Sequence, residues 1–459
     1  MTAAVVRSSS SRLAVRSIRR AMSTTPGKLR ARSAVSVAGI VVLWAISLAA
    51  VLTAGHVIDG IGLTTVPAMI DAQRIHATLA DADREAADAF LTGGTGTAER
   101  RYQSDVTAAS DELERAAEHN GDGAPAARQL ASIIALVAEY QGLVQTARTD
   151  NRQDFPVGAA YLRRASTLMH EPGDGILARV DSLDRMNSAD LAVEDSSLWL
   201  VVVTVTASGL VTAALLALLV SLQAFIKRRF KRRWNARLLG STALLGFLGC
   251  WLALQSVVSY EGLAMAERQA FPRLYAMWQM RSLVADASGN EWLSLVARGN
   301  GAAFDSAFNK ETSEIVAGRL SQDSVRLARL GRVSFGGMLA AEIRAADFPG
   351  ERDATVAVLA AYEVFLDADA AVRAKAATGD YDGAVALALD ARGGHLEAAF
   401  SDLAGSLDAV IGLLQRRFDD AIGRSRPGPA LLLAISFLSG SAVWLVVGGV
   451  RPRIAEYTA

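Results

Sequence analysis

Apolar and polar positions along this chain follow two different patterns. Four long runs lack Asp, Glu, Lys and Arg: Ser33–Ile58, Ser196–Ile226, Leu238–Tyr260 and Pro427–Val450. A membrane-crossing helix needs about 20 consecutive apolar residues. Each run is long enough and lacks the polar stripe of a soluble surface helix. Each therefore predicts a transmembrane helix. Trp199, Phe225, Tyr260 and Trp444 lie at or near run ends, as in an interfacial aromatic belt.

Between the runs the pattern becomes helical and amphipathic. Ile75, Leu79, Ala82, Ala86 and Phe90 recur at 3–4 spacing, a core-facing stripe. In the first polar segment this spacing, with breakers at Gly93–Gly96, Asn120–Gly123 and Thr149–Pro156, predicts helices over 67–92, 98–119, 124–149 and 157–195. In the second it predicts 272–297, 301–330, 336–376, broken near Asp347–Gly350, and 382–424. The chain thus reads as an all-α membrane protein with four transmembrane helices and two tandem extracytoplasmic four-helix-bundle-like domains. The predicted order is a disordered basic tail (1–32), a span (33–58), the first bundle (59–195), a span (196–226) and a basic loop (227–237). A span (238–260), the second bundle (261–426), a span (427–450) and a short tail (451–459) follow.

The two halves look alike. Pro67 matches Pro272, Ala80-Asp81-Ala82 matches Ala285-Asp286-Ala287, and Gly94 matches Gly299, all 205 residues apart. Farther along, Tyr140 pairs with Tyr362 and Gly158 with Gly383. A tandem duplication of span, domain and span accounts for this.

Charge gives the expected sidedness. Residues 1–58 hold eight Lys/Arg and no acid, and 227–237 hold seven basic residues and no acid. Basic residues on short loops mark the cytoplasmic side, so both termini and the 227–237 loop are expected inside. The polar segments carry net charges of about −11 (59–195) and −5 (259–426), and fall outside. The first run, ending Leu52-Thr53-Ala54-Gly55, also suits a cleaved signal peptide. It exceeds the usual apolar core of about 7–15 residues, and the repeat also favours a retained span.

Candidate chemistry is sparse. His56, His76, His119, His170 and His395 are scattered without ligand spacing, and the one cysteine, Cys250, lies in the third run. No zinc motif, phosphate-binding Gly-rich loop or nucleophile elbow occurs, so neither an enzyme nor a cofactor or metal site is expected, and nothing indicates nucleic acid. Asp81 and Asp83 read most simply as a solvated helix face. The hydroxyl and small residues Thr204, Thr206, Ser208, Gly209, Thr212, Ser436, Ser439, Gly440 and Ser441 suit close helix packing better than a channel lining. Lys227, Arg228, Arg229, Lys231, Arg232 and Arg233 either set topology or meet anionic lipid or an acidic cytosolic partner. The Arg-flanked serines Ser8–Ser11, Ser17 and Ser23 suit a disordered tail or a phosphorylated one. Gly93–Thr97, Thr149–Pro156, Arg298–Gly301 and Ala377–Gly383 are expected at the bundle ends far from the membrane. There Arg148, Asn151, Arg152 and Gln153 concentrate hydrogen-bonding groups. A ligand or partner contact and a plain polar turn account for them equally.

Leu79-Ala80-Asp81-Ala82-Asp83, Ala89-Phe90-Leu91-Thr92-Gly93-Gly94 and Arg101-Tyr102 resemble a stretch of actinobacterial GlnX-type membrane signalling proteins. So do Tyr140-Gln141-Gly142-Leu143-Val144, Asn151-Arg152-Gln153 and Pro156–Arg163. The resemblance is strongest over 65–170. The second segment departs from it, with Thr378-Gly379-Asp380-Tyr381 in place of the Asn-Arg-Gln turn. The resemblance implies a signal transducer in the cell membrane that receives a glutamine/glutamate-class amino-acid-binding lipoprotein outside. Inside, it would pass that protein's state to a soluble Ser/Thr protein kinase. The little cytoplasmic chain also calls for a partner, and a homodimer is compatible with the layout. A transporter or channel-associated subunit, or a structural envelope protein, would share the same spans.

Overall fold

The computed structural model describes residues 25–93, 96–120, 125–153, 155–230, 235–321, 323–389 and 395–455. Among them the chain is helical, apart from one isolated bridge between Ala317 and Gly336. The helices are α1 Thr25–Asp59, α2 Val66–Leu91, α3 Thr97–Asn120, α4 Pro125–Asn151, α5 Phe155–His170, α6 Ile176–Phe230 and α7 Ala236–Met265. They continue as α8 Phe271–Ala297, α9 Ala302–Ile315, α10 Ser324–Arg329, α11 Met338–Ala345, α12 Glu351–Ala377, α13 Tyr381–Leu389, α14 Leu396–Ser425 and α15 Pro429–Ala455. Two π turns, Gly60–Thr65 and Ala266–Ala270, precede α2 and α8, and each is followed by a proline as the second helical residue, Pro67 or Pro272.

The described residues fall into two compact units. One draws on the described residues of 25–60, 194–263 and 422–455. Its core is aliphatic, with Ile40, Leu43, Leu215, Leu219, Leu245, Ala442 and Val446 packed together. Small residues let the helices approach closely: a Cβ at Gly39 would fall 2.5 Å from a Leu215 methyl. Ser47 and Ser208 share a hydrogen bond at 3.0 Å, and Ser241 Oγ donates to Ala442 O at 3.2 Å. Thr204, Thr206 and Thr212 donate to carbonyls of their own helix. Leu433, Phe437 and Trp444 are exposed on its outside. An apolar exterior over hydroxyl-sealed helix contacts is the composition a bilayer demands.

The other unit contains Ile61–Val193 and Ala264–Ala421. The two segments expected to form a bundle each thus share one compact unit. At its centre α2 lies against α8, with α3 on α2 and α9 on α8. The predicted stripe of α2 is buried, and so are Asp83, Arg84, Glu85 and Asp88 on its other faces. A helix enclosed on every side needs partners on every side, and a single four-helix bundle does not supply them.

The structure corrects several predicted boundaries. The helix expected over 157–195 breaks at Glu171–Gly175, where Pro172 cannot donate and Gly173 takes φ +88°. The helix expected over 301–330 ends at Ile315, because Val316 turns extended and Ala317 pairs with Gly336. Gly337 permits that crossing: at φ +90°, its Cβ would sit 2.5 Å from Ile315 O. Of the helix expected over 382–424, Tyr381–Leu389 and Leu396–Ser425 are helical, and 390–394 lie outside the described residues.

Among the described residues five stretches are long and apolar enough to cross a membrane: Leu29–Leu91, Pro125–Asn151, Trp199–Lys227, Ala236–Ala297 and Leu396–Pro452. Four of them overlap the predicted spans, the one at Trp199–Lys227 starting three residues inside the predicted 196–226. The fifth is α4, which carries Arg128, Glu139 and Arg148 and packs on α5 and α3.

At Gly158 helix α5 comes close to the backbone of α4. A Cβ there would stand 2.7 Å from both Ala147 O and Asn151 N. Gly158→Ala is expected to lower stability by about 1–3 kcal/mol, an overpacking cost. Denaturant unfolding of the detergent-solubilised chain reads it.

Candidate sensing site

The α2–α8 seam is polar where helix seams are usually aliphatic. The two helices run in the same direction, since Gln73 meets Ser282 and, farther along both, Arg84 faces Gly289. His76 Nε2 lies 3.1 Å from Asp286 of α8, and its Nδ1 lies 2.9 Å from Asp181 of α6. Arg281 of α8 returns the contact, donating to Asp81 of α2, with its Nη1 3.4 Å from Oδ1. His76 and Arg281 are 205 residues apart, as are Asp81 and Asp286. The cation of each helix thus pairs with the acid of the other.

Other groups extend the seam. Asp83 accepts from Tyr140 Oη at 2.9 Å and lies 3.1 Å from His170 Nε2. Asp184 accepts from Gln73 at 3.2 Å and from the Tyr275 hydroxyl. Asn290 donates to Glu311 at 3.0 Å. Burial alone would lower the His76 pKa, but Asp286 and Asp181 outweigh it and hold it at about 10. The same contest, decided by Asp83, raises His170. Asp286 is pulled up by burial but held below the usual carboxylate range by His76. Burial and then Asp286 push Glu311 up to about 7. Burial, then Glu397 and Glu85, push Asp88 to about 7. These are ion pairs and proton-holding groups, set where a proton or a charged ligand would alter helix contact. Among the described residues no three His, Cys, Asp or Glu side chains are grouped to hold a metal.

The predicted tip residues divide. Arg148 is buried, donates to Glu99 at 2.8 Å and stacks 4.1 Å from the Tyr102 ring centre. Asn151 donates to Phe90 O at 2.7 Å, tying the end of α4 to α2. Both hold the tip together from within. Arg152 and Gln153 are exposed, and Asp154 lies outside the described residues. The arrangement around Arg148 recurs: Arg373 of α12 donates to Asp305 at 2.7 Å and stacks 4.3 Å from Phe308. Lys227 is exposed on α6. Arg228 and Arg229 lie in that helix, their side chains outside the described set. Lys231, Arg232 and Arg233, with the N-terminal serines, lie outside the described residues altogether.

Asp81 and Asp83, read as a solvated face, are instead seam groups, and His76 and His170 converge there. The available signal was charge on more than one face of α2: Asp81, Glu85 and Asp88 share one side, His76 and Asp83 another.

The sign of the pH response follows. Between about pH 4 and 7 the raised Asp88 and Glu311 hold protons that the unfolded chain releases. Between about pH 6.5 and 10 His76 does the same. Stability therefore falls as pH rises through both windows. The melting temperature is expected to be higher at pH 6 than at pH 8.5. Asp88→Asn should flatten the lower window and His76→Gln the upper, as scanning calorimetry at stepped pH would report.

Residues 57–196 match the family described as an actinobacterial sensor domain. That similarity covers the first π turn, α2 to α5 and the start of α6, hence one side of the seam, and it supports a sensing role. No curated protein and no solved structure matches the chain.

Proposed function

We propose that the chain is a transmembrane signal transducer of the cell membrane, with both termini cytoplasmic. It relays the state of an extracytoplasmic glutamine/glutamate-class amino-acid-binding lipoprotein to a cytosolic Ser/Thr protein kinase. It acts as a relay and not as an enzyme, and it uses no cofactor.

One observation carries the reading: the seam's ion pairs belong to helices that lead in sequence into the apolar stretches. Helix α6 holds Asp181 and Asp184 near its start and the apolar stretch Trp199–Lys227 near its end. Helices α2 and α8 each follow an apolar helix through a π turn, a feature frequent at functional sites. Paired charges favour discrete arrangements over continuous sliding, and a switch needs such alternatives. His76 lies between Asp181 and Asp286, and Arg281 between Asp81 and Asp408, so each cation has a second acid within reach. A bound partner shifts the balance only if it prefers one arrangement.

The crossed seam pairs and the recurring Arg148 and Arg373 clusters support a tandem duplication of span, outer segment and span. The lipoprotein engages the exposed Arg152 and Gln153. The basic segment Lys227–Arg233 meets the kinase and anionic lipid, and two copies of the chain assemble as a dimer.

The test is co-expression with a candidate amino-acid-binding lipoprotein and capture on the tagged chain. The double variant Arg152→Ala/Gln153→Ala is expected to lose most of the captured lipoprotein while melting like the parent. Full capture by that variant would remove the tip from the mechanism.

A further inference from the structure

Beside the crossed pairs, α2, α3 and α14 enclose a second charged group that the relay does not use. Arg84 donates to Glu397 at 2.7 Å and pairs with Glu85, and its guanidinium lies 4.2 Å from the Phe400 ring centre. Arg101 of α3 reaches the same two acids, lying 3.6 Å from Glu85. Arg84, Glu85 and Asp88 are buried, whereas Arg101 is about half exposed and Asp105 partly so. The group thus has a closed floor and a rim open to solvent along α3.

Its charges do not balance. Glu85, Asp88, Asp105 and Glu397 face Arg84 and Arg101, and the nearby Arg281 is already taken by Asp81 and Asp408. Asp88 is only 4% exposed, and its Oδ1 has no hydrogen-bond partner among the described residues. Asp88 follows Glu85 by three residues and Arg84 by four, so the three side chains share one face of α2. Glu85 Oε2 is likewise buried without a hydrogen bond. Buried carboxylate oxygens in native proteins are normally satisfied, and an exception calls for an occupant.

We propose that this group binds the ammonium end of a small organic amine between Asp88, Glu85 and Glu397, with Asp105 and Arg101 at the mouth. An –NH3+ group brings three donors and one positive charge, more than enough for the two oxygens left over, and offsets the excess acid. A bare metal ion is the poorer fit, since no grouping among the described residues has metal-holding geometry. Such binding rests on the sensing reading only for its use in the cell; the chemistry stands without it. A diamine and the amino group of an amino acid present the same –NH3+.

The experiment is calorimetric titration of the full chain in detergent at pH 7.5, with putrescine in one arm and L-lysine in the other. Magnesium chloride and matched potassium chloride serve as controls. Saturable binding in either arm is expected, and which arm responds identifies the source. Asp88→Asn should weaken binding at least tenfold. It keeps the shape of the side chain and removes a charge facing Glu397 and Glu85, so it should fold; its melting curve checks this. Asp105→Asn at the rim is a second variant, expected to weaken binding severalfold. No saturable binding by either amine, equal binding of magnesium, or unchanged affinity in both variants would overturn the proposal. Asp88→Asn should still capture the lipoprotein at Arg152 and Gln153, so failure here and failure of the relay reading are separable.

Discussion

A charge can be kept inside a helical protein only beside its complement, because an uncompensated buried ion costs several kcal/mol. The unit containing α2 and α8 is organised around that constraint. His76 cannot leave Asp286, nor Arg281 leave Asp81, without stranding a charge in the interior. The register of the two helices, the placing of α6 by Asp181 and Asp184, and the docking of α14 through Glu397 all follow from pairing. An aliphatic seam would hold the helices as firmly and tolerate small shifts. A paired seam permits only those shifts that exchange one partner for another.

The contrast between the two units has one physical origin. In the unit built from α1, α7, α15 and the apolar part of α6, several polar atoms in the helix contacts are short hydroxyls, as at Ser47, Ser208, Ser241 and Thr212, that bond to a neighbour or to their own helix. Such contacts suit surroundings that offer no water to a stranded group. In the other unit, long charged side chains reach across helices and are satisfied at a distance from their own backbones. The apolar runs and the charged helices of one chain are thus solutions to the same problem of polar satisfaction in two surroundings.

Much of this was legible in the sequence, and the misses share a cause. The apolar runs and the stripe Ile75, Leu79, Ala82, Ala86, Phe90 announce helices and one core face directly, because hydrophobic period is a local property. Asp81 and Asp83 mislead because burial of a charge depends on a partner far along the chain. The mate of Asp81 is Arg281, and those of Asp83 are Tyr140 and His170. The tip fails in part for the same reason. Arg148 and Asn151 sit in a polar turn, yet Glu99 and Phe90 draw them inward, leaving Arg152 and Gln153 outside. The break after His170 was signalled by Pro172 and Gly173, and helical composition on both sides masks it.

The π turns at Gly60–Thr65 and Ala266–Ala270 bear on all of this as matters of angle. A π turn accommodates one residue more than an α turn, and each residue of a helix advances the chain by about 100°. Each of these two short segments therefore adds about one residue's worth of helical phase to the chain just before the helix that carries His76 and Asp81, or Arg281 and Asp286. The proline after each turn lacks an N–H, so the backbone there is committed to fewer hydrogen bonds than elsewhere. The charged seam is thereby phased by its own entry points, and its alignment is a rotational quantity stored in two turns of backbone.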